Sequence, residues 1–275
     1  MIKFSDLSKN IMIVDALNLA FRYKHSGAIT FSDDYINTVN SLATSYKAGK
    51  IIIACDSGSS SYRKSILPTY KQARKDKFEQ QTEDEKIQFE LFFEEFGRTI
   101  EALEEDSKYC VFKFPKCEAD DIAAYIVKKV KDTTIWLMSS DKDWDLLIRD
   151  NVSRFSYVTR KEITLENWND HYEYDVYDHI SIKCLMGDTG DSVPGVPGIG
   201  PKKAHALIKE YGTTYDIIAN IPIKSRYKYI QSLNEFGKEN LLRNYLLMDL
   251  LTHCDEALGK DNCATIDNKL KEYLQ

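Results

Sequence analysis

A chain of 275 residues, 43% apolar and 29% charged, suits one large domain or one domain with a smaller appendage. Those proportions exclude a disordered or fibrous chain, and its apolar runs are too short to span a membrane. The net charge of −6 argues, taken alone, against a nucleic-acid partner.

The N-terminus, MIKFSDLSKN, has no signal-peptide architecture, so a cytoplasmic protein with no membrane contact is expected. Ile11 to Val14 (IMIV) and Ile51 to Ala54 (IIIA) are short β-branched runs leading to Asp15 and Asp56. Ile135 to Met138 (IWLM) is a third, followed by Ser139-Ser140-Asp141. Such runs, with helix-like spacing over Tyr35 to Tyr46 and Ala119 to Lys131, predict buried parallel strands of an α/β sheet. Ligands of an open parallel sheet bind beyond the carboxyl ends of its strands, where Asp15, Asp56 and Asp141 would gather.

A long insertion separates the second and third of these runs. Tyr62 to Lys77 (YRKSILPTYKQARKDK) is basic apart from Asp76, and the acidic, helix-favouring EQQTEDEKIQFELFFEEF follows. Tyr70, Lys71 and Arg74 are expected one helical turn apart, offering a basic face to phosphates. After residue 160 the pattern turns helical, and from Ile223 it is polar and aromatic with weak helical periodicity. The six cysteines are scattered without a C-x-x-C pair, and the five histidines form no H-E-x-x-H pattern. All six thiols are therefore expected to be reduced and without a metal role.

Residues 187–204 read GDTGDSVPGVPGIGPKKA. Tyr177 to Met186 before this stretch and Lys202 to Tyr211 after it predict a helix–hairpin–helix, with proline at the first helical position. Gly198 and Gly200 allow backbone N–H groups to reach a DNA phosphate at the helix start, and Lys202 and Lys203 add charge there.

Carboxylates recur as Asp15, Asp56, Glu118-x-Asp120-Asp121, Asp141-x-Asp143 and Asp188-x-x-Asp191. Each alone could end a strand or cap a helix. Together, from three strand ends and one helix start, they would crowd one rim. Two such charges ~4 Å apart repel by about 4 kcal/mol at an effective dielectric near 20. Hard divalent cations offset that repulsion, and an all-oxygen set selects magnesium or manganese over zinc. Two such ions suit phosphodiester hydrolysis. With these nine set aside from the 43 acidic residues, the remainder is outnumbered by 37 basic ones, so an acidic chain can present a basic working face.

The segments MIVDALNLAFRYKH, CEADDIAAYIV, SSDKDWDLLI and MGDTGDSVPGVPGIGPKKA resemble, in this order, the 5′ nucleases related to flap endonucleases, most of all their bacteriophage branch. The resemblance runs from about residue 11 to about 250. It implies a PIN-like core over residues 1–160 with an arch insertion at about 62–105. It also implies a helical region over 161–275 with the hairpin motif at about 180–212. One Mg²⁺ would draw on Asp56, Glu118, Asp120 and Asp141, with Asp15 and Asp121 close by; a second would draw on Asp141, Asp143, Asp188 and Asp191. Lys71 and Arg74 would contact the scissile phosphate and Tyr70 would stack on a base. The hairpin would hold K⁺ through the carbonyls of Leu185, Met186, Pro194, Val196 and Ile199.

The implied activity is cleavage of branched or 5′-ended DNA (flaps, junctions, nicked duplex) by a monomer in replication, beside a separate DNA polymerase. Two other readings stay open on the residues alone. One is a PIN-like ribonuclease removing RNA or RNA primers. The other is a non-catalytic DNA-binding module that uses only the hairpin.

Overall fold

The computed structural model describes residues 10–274; the N-terminal MIKFSDLSK, on which the absence of a signal sequence was argued, and Gln275 lie outside it. The chain packs as two units. The first takes in the chain up to Ser60, Gln81–Glu166 and the chain from Cys254; the second takes in Ser61–Gln80 and Asn167–His253.

The first unit is built on a six-stranded sheet: β1 (Ile11–Asp15), β2 (Lys50–Cys55), β3 (Tyr109–Lys113), β4 (Ile135–Met138), β5 (Val152–Ser156) and β6 (Lys161–Ile163). Their spatial order is β3-β2-β1-β4-β5-β6. All pairs are parallel except β5 with β6. Every residue of β1 is buried, as expected of a strand covered on both faces. The strand order reverses beside β1, which places the switch point of the sheet between β1 and β4.

The connecting helices of this unit are α1 (Ala16–Ser26), α2 (Ser32–Ser45), α5 (Glu83–Glu105) and α6 (Ala119–Lys129). Helix α2 begins three residues before the expected Tyr35, and α6 stops at Lys129 rather than Lys131. A capping box between Thr82 and Glu85 starts α5, whose Phe92, Phe96, Ile100 and Leu103 join the core. The C-terminal helix α12 (Lys260–Leu274) returns to this unit. There Tyr273 accepts the Ile51 N–H at 2.8 Å and donates to the Lys108 carbonyl at 2.6 Å, tying the starts of β2 and β3.

The second unit contains α3 (Ser61–Ile66) and α4 (Gln72–Glu79) of the insertion. From the later sequence come α7 (His179–Met186), α8 (Pro201–Tyr211), α9 (Thr214–Asn220) and α10 (Lys228–Met248). Ile182, Leu185, Val196, Leu207, Ile217 and Leu233 centre its core. Helix α11 (Leu250–Leu258) follows α10 after Asp249. No helix among the described residues is long and apolar enough to cross a membrane.

Candidate active site

In the first unit the carboxylates collect where the sheet topology sends them. Asp15 ends β1 and caps α1: its Oδ1 accepts the Asn18 N–H at 3.2 Å, and its Oδ2 accepts the Ser139 hydroxyl at 2.7 Å. Ser139, fully buried just past β4, also accepts the Asp141 N–H at 3.0 Å. One hydroxyl thus ties the carboxyl end of β1 to that of β4. Asp141 in turn accepts the Asp143 N–H at 2.9 Å, starting the 3-10 turn Lys142–Leu147.

Past β2, Asp56 accepts the Ala119 N–H at 3.1 Å at the start of α6, where the helix dipole favours a negative charge. Glu118, 1% exposed, accepts the Ser60 N–H at 3.1 Å. Asp120 accepts the indole N–H of Trp144 at 2.7 Å, and Asp121 is fully buried.

Burial, reinforced by the charge of Asp56, raises the Asp15 carboxyl well above the ordinary carboxylate range, with Asp141 adding to the push. The hydrogen bonds from Ser139 and Asn18 oppose it without cancelling it. The all-oxygen donor set would suit a hard divalent ion. Among the described residues, no three His, Cys, Asp or Glu side chains stand as a finished ligand cage. Of the nine candidate acids, seven lie in this unit, where Asp56 and Asp141 act on Asp15, and Asp188 and Asp191 lie in the other unit.

Sequence reading missed the groups that hold these acids. Arg154 and Asp145, 3% and 0% exposed, form a buried fork with contacts of 2.5 and 2.9 Å, and Arg154 also donates to the Ser139 carbonyl at 2.9 Å. Asn18 accepts the Ser140 N–H at 3.0 Å and the Tyr157 hydroxyl. The serines carried no charge signal, and the Asp–Arg pair is nine residues apart on different elements. Only Asn18, three residues after a strand-end aspartate, could have been suspected.

In the second unit, Asp188 and Asp191 sit on a tight loop. Asp188 exchanges backbone bonds with Val193 at 2.9 and 2.7 Å, and its Oδ1 accepts the Asp191 N–H at 3.2 Å. Gly187 has φ +71°, and a Cβ there would fall 2.3 Å from the Gly195 nitrogen. A Cβ on Gly195 would fall 1.8 Å from the Met186 carbonyl oxygen, so the two glycines let the loop's strands meet.

The basic candidates converge on this loop. Arg74 donates to Asp191 Oδ1 at 2.6 Å and to the Gly190 carbonyl at 3.2 Å. Tyr70 donates its hydroxyl to Asp191 Oδ2 at 2.8 Å, and the Lys71 N–H donates to the Asp191 carbonyl at 2.9 Å. Burial still raises the Asp191 carboxyl, although Lys71, Arg74 and the Tyr70 hydroxyl all pull it down.

Two expectations are corrected here. Tyr70 does not present its ring for base stacking: it is 4% exposed and packed with Val193, Leu247 and Met248. Nor does one helical turn carry all three residues, because Lys71 adopts a left-handed φ of +58° and α4 begins only at Gln72.

Three of the five carbonyls expected to hold K⁺ accept hydrogen bonds within the second unit. Leu185 accepts from Val196 at 2.8 Å, Val196 from Ile199 at 3.1 Å, and Pro194 from the buried Asn244 amide at 2.7 Å. Gly198 has φ +78°, while Gly200 precedes α8 in an ordinary extended conformation with Pro201 opening the helix. Lys202 and Lys203 are exposed at that helix start; Lys203 donates to the Gly198 carbonyl at 2.7 Å and stands 5.1 Å from the Tyr229 ring centre.

Residues 10–173 match the family described as 5′-3′ exonuclease, N-terminal resolvase-like domain, and residues 176–269 match 5′-3′ exonuclease, C-terminal SAM fold. The chain is 42% identical to the flap endonuclease of Escherichia phage T5 over 97% of its length and 92% of that protein's. It is 31% identical to the 5′-3′ exonuclease of Buchnera aphidicola over 75% and 67% of the respective lengths. A solved structure of the phage T5 flap endonuclease, in a pseudo-enzyme-product complex with DNA and metal ions, superposes with a TM-score of 0.90 at 41% identity. It covers 96% of this chain and 99% of that one. The catalytic core of Rad2 shares the fold at 14% identity, with a TM-score of 0.52, over 100% of this chain and 95% of that one.

Proposed function

The chain belongs to the 5′-3′ exonuclease family, and from that premise we propose that it is a structure-specific 5′ nuclease hydrolysing DNA near single-strand/double-strand junctions. The observation that carries the proposal is Asp15. It ends β1 at the switch point of a parallel sheet, where Asp56 and Asp141 act on it; negative charges held that close repel, and bound cations would offset the repulsion.

Seven acids of the first unit (Asp15, Asp56, Glu118, Asp120, Asp121, Asp141 and Asp143) are assigned the cation-holding role, and Asp188 and Asp191 are the second unit's candidates for it. Two Mg²⁺ ions, with Mn²⁺ able to substitute, would supply charge neutralisation at the scissile phosphate and activation of water. Around them, Ser139 fixes Asp15 and Asp141 in register, and Trp144 orients Asp120. Lys71 and Arg74 are proposed to meet a phosphate of the substrate, which requires Arg74 to exchange Asp191 for it. The turn ahead of Pro201, with Lys202 and Lys203, is proposed to grip duplex backbone without reading bases. K⁺ binding at that turn belongs to the same proposal, since each carbonyl retains a second lone pair. So do the division at residue 160, the monomeric state, the cytoplasmic location and a replication role beside a polymerase.

The test is a 5′-labelled DNA flap with a matched RNA flap, each incubated with Mg²⁺ or chelator. The proposal predicts metal-dependent release of a short DNA product. Preference for the RNA flap would favour a ribonuclease instead, and binding without cleavage would favour a non-catalytic module.

A further inference from the structure

Away from the carboxylates, the first unit has a cavity of about 540 Å³ between α1, α2 and the β5–β6 edge. That volume lies within the range of about 300–1,000 Å³ usual for small-ligand sites. Its lining is chemically specific. Arg22 and Arg160 supply two guanidinium groups, Thr38, Ser41 and Ser45 supply hydroxyls, and Tyr46 supplies an aromatic wall.

Arg160 is the most informative of these residues. It sits in the β5–β6 turn with φ +58° and its N–H on the Ser156 carbonyl at 2.8 Å. Glycine or asparagine occupies that conformation at lower cost, here as at Lys47, Lys71, Lys116 and Ser192, which share it. The Tyr46 ring packs tilted at 47° with its centre 4.4 Å from that of Trp136, and its hydroxyl donates to Glu162 at 2.8 Å. Burial and Glu162 push that hydroxyl's pKa up, and Arg160 is close enough to pull against them.

Arg22 and Arg160, both exposed, are the two cations of the lining and the side chains that would meet a phosphate. A bare phosphate would gain nothing from the aromatic wall, whereas a base can pack on it, and Glu162 with the hydroxyls suits a sugar. The geometry points to a site for a nucleoside 5′-monophosphate in this cavity. The nucleotide is either free or the 5′-phosphorylated end of a strand; only this choice of source rests on the nuclease reading. A hydrogen-bond relay links the cavity to the carboxylate group: Tyr157 lines it and donates to Asn18, whose N–H donates to Asp15.

Trp136 beside Tyr46 provides a direct reporter. The full chain is titrated with dAMP in chelator while tryptophan fluorescence is followed. The expected result is a saturable change, with affinity weakened at least tenfold in Arg22→Ala and in Arg160→Gly. Arg160→Gly should fold at least as stably as the parent, since glycine relieves the positive φ. Asp141→Ala should keep the binding. A 5′-phosphorylated oligonucleotide that binds more tightly than dAMP, with the same arginine dependence, would identify a strand end as the occupant. The inference is overturned if no saturable change occurs, if deoxyadenosine or inorganic phosphate binds equally well, or if the arginine variants bind unchanged. It is also overturned if binding requires Mg²⁺ or is lost in Asp141→Ala, which would put the nucleotide among the carboxylates. Failure of flap cleavage would count against the nuclease reading and leave this titration untouched.

Discussion

Ser139 shows how much one uncharged residue can carry. Its hydroxyl donates to Asp15 and accepts from Asp141, so Ser139→Ala leaves a buried carboxylate oxygen and a buried N–H short of a partner. A stability loss of about 1–3 kcal/mol is expected in urea titration. Flap turnover should fall with little change in KM, because the acids shift while the DNA-gripping surfaces do not. Asp15 gives the opposite pairing. Its carboxyl is pushed up by burial and by Asp56 and Asp141, so the fold opposes a negative charge there, and Asp15→Asn removes that opposition. That variant should be more stable by about 0.5–2 kcal/mol in chelator, read as a higher thermal midpoint, while losing turnover. At this scale the sequence disclosed the acids, since a charge ending an apolar run is conspicuous. It concealed Ser139 and Asn18, whose roles arise only when β1 and β4 lie side by side. Tyr70 was misread for a similar reason: its burial depends on Val193, Leu247 and Met248, far along the chain.

Among the elements, β1, β2 and β4 were legible because both faces are buried and the apolar runs are continuous. Strand β3 (YCVFK) mixes aromatic, cysteine and lysine residues, and β5 (VSRFS) carries a buried arginine, so neither looks like a core strand. That arginine is satisfied by Asp145 inside the protein. Breaking a buried pair costs more than replacing it, so Arg154→Met should destabilise by about 3–5 kcal/mol. Adding Asp145→Leu should recover part of the loss, which a double-mutant cycle in urea would measure. The helices around the hairpin were legible, the first starting at His179 rather than Tyr177, since Gly198 at positive φ and Pro201 at the first helical position are local requirements. Replacing Lys202 and Lys203 together with alanine should weaken duplex binding and flatten its salt dependence, as measured by titration at several ionic strengths.

For the whole molecule, the return of the C-terminal helix to the sheet and the packing of residues 61–80 with 167–253 were not legible. Both depend on contacts between segments a hundred or more residues apart, which periodicity does not encode. Of the six cysteines, five are buried. Burial pushes the Cys110 thiol up to about 11 and the Cys184 thiol up to about 12. A raised thiol keeps its proton longer in the folded chain than in the unfolded one. This contribution is therefore present below pH ~9 and is lost as pH rises through about 11 to 12. At pH 8 a thiol-alkylating reagent should modify these two cysteines only as fast as the protein opens. The central claim, that the carboxylates hold cations for hydrolysis, is tested most directly by single-turnover cleavage of a DNA flap in Mg²⁺. Wild type and Asp141→Ala are compared at concentrations where both are saturated with DNA. The account predicts a loss of at least a hundredfold in the rate, with flap affinity within a few fold of wild type. Cleavage by Asp141→Ala at the wild-type rate would contradict it.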